Sequence, residues 1–134
     1  VKIDGKLWES QEIIYNGGNE FRAGNAETIG VLTLYLSEDA MQENQLESLE
    51  HQNFNGSVAA AWFSTPGMDT TFYSLEGQTI VTKNDEKTIE GTFAFESSTP
   101  EVGSGAVLIF DPPVSASFTE GSFILDLDEP IYPE

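Results

Sequence analysis

The sequence predicts a mainly β domain: an antiparallel β-sandwich or lipocalin-like barrel of about ten short strands with one inserted helix near residues 38–50. Three observations lead there. Apolar residues mostly alternate with polar ones, which gives a strand one buried and one wet face. The runs are short and end in turn-forming residues such as Asp4-Gly5, Asn16-Gly17-Gly18-Asn19, Asn84-Asp85-Glu86 and Asp111-Pro112-Pro113. The nine Phe, four Tyr and two Trp fall inside the alternating runs, so a low-hydrophobicity acidic chain is read as folded rather than disordered.

The elements are taken in chain order. Val1 to Glu9 reads as a hairpin around Asp4-Gly5, because Asp-Gly supplies the two positive-φ positions of a type I′ turn. Gln11 to Tyr15 is a short strand, and Glu20 to Ala23 returns from the turn after it. Thr28 to Leu36 carries apolar groups on both faces and almost no charge, the pattern of a central strand. At Ser37 the period changes. Ser37-Glu38-Asp39 looks like an N-cap with acids in the first turn, and Met41, Gln45, Leu46 and Leu49 come next at helical spacing. Asn53 to Gly56 supplies the stop.

Strands resume with Val58 to Phe63, Thr70 to Leu75, Gln78 to Lys83 and Lys87 to Glu96. In the last of these, Ile89, Gly91, Phe93 and Phe95 form the core face. Ala106 to Phe110 reads as a further buried strand. The end reads as a hairpin, Val114 to Thr119 and Ser122 to Leu127, around Glu120-Gly121, with Phe123, Leu125 and Leu127 inward and Ile124 outward. Residues 129–134 form a tail. Length and continuity give one acidic domain over 1–134, with no internal repeat or linker.

Charge narrows the partners. Twenty-three acidic residues against five basic ones give a formal net charge of -18. Lys2, Lys6, Arg22, Lys83 and Lys87 are scattered singly, which argues against nucleic acid and against direct electrostatic attachment to anionic lipid. Neutral glycans, proteins and cationic groups remain as partners. Without cysteine the chain has no disulfide, zinc finger or thiol nucleophile. No stretch approaches the roughly 20 apolar residues of a membrane-spanning helix. The start at Val1, inside a strand-like run, predicts a mature form with a targeting segment removed.

The residues that could carry chemistry each have a plainer explanation. His51, among Glu47, Glu50 and Gln52, reads as a surface histidine; neither Ser57 nor Ser64 sits in a nucleophile-elbow pattern. Glu90, Glu96 and Asp126 are candidates for the paired carboxylates of a glycosidase, yet such pairs arise easily among so many acids. Asp126-Leu127-Asp128-Glu129 and Asn84-Asp85-Glu86 offer oxygens to Ca²⁺ without matching an EF-hand loop, so turn chemistry is preferred. Trp8, Trp62, Phe63, Phe72 and Tyr73 are candidates for a sugar-stacking platform, although strand aromatics are more often core. No catalytic, cofactor or metal residue is assigned; Ca²⁺ stays a weak alternative.

Four segments in order, Ile3-Asp4-Gly5-Lys6-Leu7-Trp8, Gly77 to Asp85, Ile89-Glu90-Gly91-Thr92-Phe93-Ala94-Phe95 and Gly121-Ser122-Phe123, resemble a group of small secreted lipoproteins of unknown function from Bacteroidota. The resemblance covers about half the chain. It implies a β-sandwich or barrel held to a membrane by an upstream lipidated Cys, outer-membrane-anchored or periplasmic, with no catalytic residues. The helix after Ser37 departs from that all-β pattern. The expected function is therefore a non-catalytic extracytoplasmic binding or scaffold domain. The alternative is a small glycosidase-like hydrolase using paired carboxylates. The loops expected to bind are Asn16–Asn19, Thr65–Asp69 and Ser97–Gly105.

Overall fold

The structure is a computed structural model that describes residues 1–11, 13–15, 19–25, 27–37, 40–49, 59–68, 70–85, 87–99 and 114–126, the side chains of Met68 and Asp126 excepted. The described residues form ten strands: β1 (Lys2–Ile3), β2 (Lys6–Leu7), β3 (Ile13–Tyr15), β4 (Glu20–Asn25), β5 (Gly30–Tyr35), β6 (Leu46–Ser48), β7 (Ala60–Ser64), β8 (Thr71–Asn84), β9 (Thr88–Ser98) and β10 (Ser115–Asp126). They make one hydrogen-bonded sheet in the order β2-β1-β10-β9-β8-β7-β5-β4-β3, with β6 also on β8. Every strand pair is antiparallel.

Mainly antiparallel β is thus the fold, as the alternation predicts, and the sheet curls into a half-barrel rather than splitting into two layers. Chain connectivity helps to force the curl. β2 and β3 lie at opposite ends of the sheet, yet Leu7 and Ile13 are six residues apart in sequence. Six residues reach at most about 20 Å, so the two ends of the sheet must come near each other.

The concave face holds the core. Phe21, Leu32, Leu34, Phe63, Val81, Ile89, Phe93, Phe95, Phe118, Phe123 and Leu125 are all buried there. Ring contacts join strands distant in the sheet: Phe21 of β4 meets Phe123 of β10 at 6.0 Å, and Phe63 of β7 meets Phe118 of β10 at 5.6 Å. The predicted inward set of β9 is buried as expected, and Ile124 faces out at 63% exposure. Asp4 and Gly5 take φ of 49° and 84° between β1 and β2, the two-residue turn that Asp-Gly predicts.

Three expectations are corrected. The helix over 38–50 does not form among the described residues of that segment. Its start signal is genuine: Ser37 Oγ accepts from Ala40 N at 3.3 Å, and Met41 N donates to the Ser37 carbonyl at 3.1 Å. After that single turn, Asn44 adopts φ 62° and donates its N–H to the Val81 carbonyl at 2.7 Å. β6 then pairs with β8, Leu46 opposite Ile80. Leu46 is 55% exposed while Leu49 is fully buried, so the apparent helical stripe does not share a face. The open flank of β8 beyond β7 offers backbone partners to residues 44–49, and those bonds replace the ones a helix would make internally.

Residues 70–75 and 78–83 are not two strands but one, the 14-residue β8. Its register shifts between Ser74 and Glu76 and again between Val81 and Lys83, where it bulges against β9. Nor is Glu120-Gly121 a hairpin turn. It is a bulge inside the 12-residue β10: Phe118 pairs with Phe95 and Gly121 with Phe93, with Glu120 at φ 53°. The extra residue resets the alternation, so Ala116 and Phe118 point inward before it and Phe123 and Leu125 after it. The expected strand at 106–110 lies outside the described residues, as does Leu127.

Candidate functional site

A cavity of about 340 Å³ opens at the seam where the two ends of the sheet approach. Leu7 of β2 and Ile13 of β3 both line it, so it occupies the gap that a closed barrel would fill with strand pairing. Its deep wall is apolar: Phe21, Leu32, Leu34, Phe93 and Phe123, each no more than 8% exposed. Its outer rim is polar or exposed: Glu9, Ser10, Glu120 and Ser122, with Leu7 at 66% exposure. Among the described residues no lysine, arginine or histidine lines it. An apolar concavity of this size with a few polar rim groups is the usual form of a small-molecule site.

Trp8 positions the rim. Its indole N–H donates to the Ile29 carbonyl at 2.6 Å, its backbone N–H donates to the Val1 carbonyl at 2.8 Å, and its ring meets Phe63 edge-on at 5.6 Å. The ring also lies over Gly24; a Cβ there would come within 2.9 Å of it. One side chain therefore ties the β1–β2 end of the sheet to the β4–β5 end. Glu120 projects from the β10 bulge and pairs with Lys2 at 2.8 Å. That hydrogen bond, with the Lys2 charge, holds its carboxyl below the usual range, so it stays ionised at neutral pH. Glu9 makes no ion pair among the described residues.

The residues singled out from the sequence disperse. His51, Ser57, Glu86, Asp128 and Glu129 lie outside the described residues. Ser64 is buried and shares a hydrogen bond with Thr71 Oγ1 at 3.0 Å. Glu90 and Glu96 share the outer face of β9 six residues apart, about 20 Å along a strand. That is too far for a glycosidase pair. Register brings together a different pair: Glu76 of β8 lies directly opposite Glu96 of β9, and both are exposed. Sequence reasoning missed it because the β8 bulge sets the register. A glycosidase acid relies on burial to keep its proton at neutral pH, which this open position does not supply. Glu96 instead accepts from Ser117 Oγ at 2.6 Å.

Asp85 caps its turn. Its Oδ1 accepts from Thr88 N at 2.7 Å and from Lys87 N at 3.1 Å. Those bonds, with Lys83 nearby, lower its pKa. Among the described residues no group of three or more His, Cys, Asp or Glu could hold a metal ion.

The candidate aromatic platform divides between faces. Phe63 and Phe72 are cross-strand partners in contact with the core, whereas Trp62 and Tyr73 are partners on the opposite face, both half-buried. None of the described residues of the loops at 16–19, 65–69 and 97–105 lines the seam cavity.

Comparison of the chain with protein-family models, with curated proteins and with solved structures returns no match.

Proposed function

We propose that this protein is a non-catalytic binding module of the bacterial cell exterior, and that its ligand site is the seam cavity. The observation that carries the reading is the pairing of a buried apolar wall with an exposed polar rim in a gap about 340 Å³ in volume. Backbone pairing could close that gap, yet Trp8 props it from the side. The lining favours a small ligand with an apolar body over a glycan, whose hydroxyls would lose hydrogen bonds to water against Phe21, Leu32 and Phe93. The extracytoplasmic setting, with a lipid anchor upstream, rests on the lipoprotein resemblance of the four segments between Ile3 and Phe123.

The test uses N-phenyl-1-naphthylamine, a neutral apolar fluorophore. Saturable uptake near one per chain, lost in Ala23→Phe, which fills the cavity from β4, is the expected result. Unsaturable uptake, or uptake unchanged in a folded Ala23→Phe variant, overturns it. In parallel, turnover of chromogenic glycosides or esters that disappears in Glu96→Gln would replace the reading with the hydrolase.

A further inference from the structure

We infer that the seam cavity selects an amphiphile with a cationic head group, an alkyl or aryl ammonium compound, and discriminates against fatty-acid-like anions. The inference rests on the cavity being the ligand site. Three features of the rim point to it. Among the described residues its ionisable side chains are the carboxylates Glu9 and Glu120, with no lysine, arginine or histidine beside them. Aromatic residues line the same cavity: Trp8 at the rim and Phe123 in the wall. Carboxylates beside aromatic rings recognise ammonium groups by ion pairing and by attraction to the ring quadrupole. Lys2 is already held by Glu120 at 2.8 Å, and the Val1 ammonium, whose residue lines the cavity, donates to the Trp8 carbonyl at 3.3 Å, so both nearby cations already have partners. Glu9, which makes no ion pair among the described residues, is the carboxylate left for a ligand.

The whole chain repeats the preference at longer range. A net charge of -18 draws cations toward every part of the surface. The seam cavity adds a local effect beyond that general field, with the head group at Glu9 and the tail against the wall of Phe21, Leu34 and Phe93.

The experiment measures displacement of N-phenyl-1-naphthylamine by decyltrimethylammonium, 1-decanol and decanoate, each below its micellar concentration, at low ionic strength. The cation should bind roughly tenfold more tightly than the neutral alcohol, and the anion more weakly than either. Glu9→Gln should remove most of the cation's advantage without changing decanol affinity. A control pair, Glu27→Gln with Glu47→Gln, lies away from the cavity lining and should leave the advantage nearly intact. Equal affinity for cation and alcohol overturns the head-group inference while the cavity reading stands. So does an advantage that the control pair lowers as much as Glu9→Gln does. If none of the three displaces the fluorophore, or the fluorophore itself does not bind, the cavity reading fails and the inference with it.

Discussion

Trp8 and Ile29 are joined by a 2.6 Å hydrogen bond from the indole N–H to the backbone carbonyl, across the seam where the sheet fails to close. Trp8 comes just after β2 at one end of the sheet, and Ile29 precedes β5 near the other. The bond therefore does for the barrel what strand pairing would otherwise do. Trp8→Phe keeps an aromatic ring against Phe63 but loses the donor, at an expected cost of about 1–2 kcal/mol. Trp8→Ala also loses the packing and should cost about 3 kcal/mol. Urea unfolding followed by circular dichroism checks both, and a Trp8→Phe variant as stable as the parent would refute the bond's role.

The faces of β10 give a sharper test of register. Phe123 is 8% exposed and packs near Phe21 and Phe93, while its neighbour Ile124 is 63% exposed. Phe123→Ala should cost about 3–5 kcal/mol and Ile124→Thr no more than about 0.5 kcal/mol. Similar losses at the two positions would mean that the bulge at Glu120 is misplaced by one residue.

Two glycines are required for different reasons. A Cβ at Gly91 would lie 2.6 Å from the Ile80 carbonyl oxygen and 2.7 Å from the Phe123 ring, and the first of these is backbone that cannot rotate away. Gly5 has open space around it but a φ of 84°. Gly91→Ala should cost about 2–3 kcal/mol through overpacking. Gly5→Ala should cost about 1 kcal/mol through conformational strain alone. Thermal melts of the two variants rank them, and the reverse order would contradict the close approach of β8, β9 and β10.

Self-repulsion should limit stability. Glu76 and Glu96 are directly opposite and like-charged on an exposed face, so Glu76→Lys should stabilise the fold by about 0.5–1 kcal/mol. Added NaCl should raise the melting temperature of the parent protein by screening its net charge of -18. A melting temperature indifferent both to the substitution and to salt would rule repulsion out.

Acid should act partly through Asp85 and Glu120. Turn bonds from Thr88 and Lys87 lower the pKa of Asp85, and Lys2 lowers that of Glu120. A depressed folded-state pKa contributes stability that is fully present above the unfolded-state value. That contribution is lost as pH falls through the folded-state value. Carboxyl NMR titration should place both midpoints below the ordinary range. Asp85→Asn keeps an acceptor for the turn but removes the titration, so its stability should fall less steeply at low pH. An unchanged acid limb would count against the assignment.

The sequence by itself determined the mainly β class and the inward faces of strands such as β9. Alternation marks Ile89, Phe93 and Phe95 as core because a strand's side chains switch sides at every residue. Asp4-Gly5 fixes its turn because few residue pairs accept two positive φ values. The N-cap at Ser37 was equally legible, and it forms its turn. The course of the chain beyond that turn was not legible. Whether residues 44–49 bond within themselves or to β8 depends on a strand that begins only at Thr71. The same limit explains the strands that merged. At Glu120-Gly121 the inward positions change from even to odd numbers, a signal that a hairpin and a bulge produce alike. Only β9 lying unbroken alongside distinguishes them. The cavity depended most on tertiary structure. Leu7, Phe21, Leu34 and Phe123 share no local pattern, and they meet because a short stretch of sequence brings the two end strands of the sheet near each other, where they do not pair.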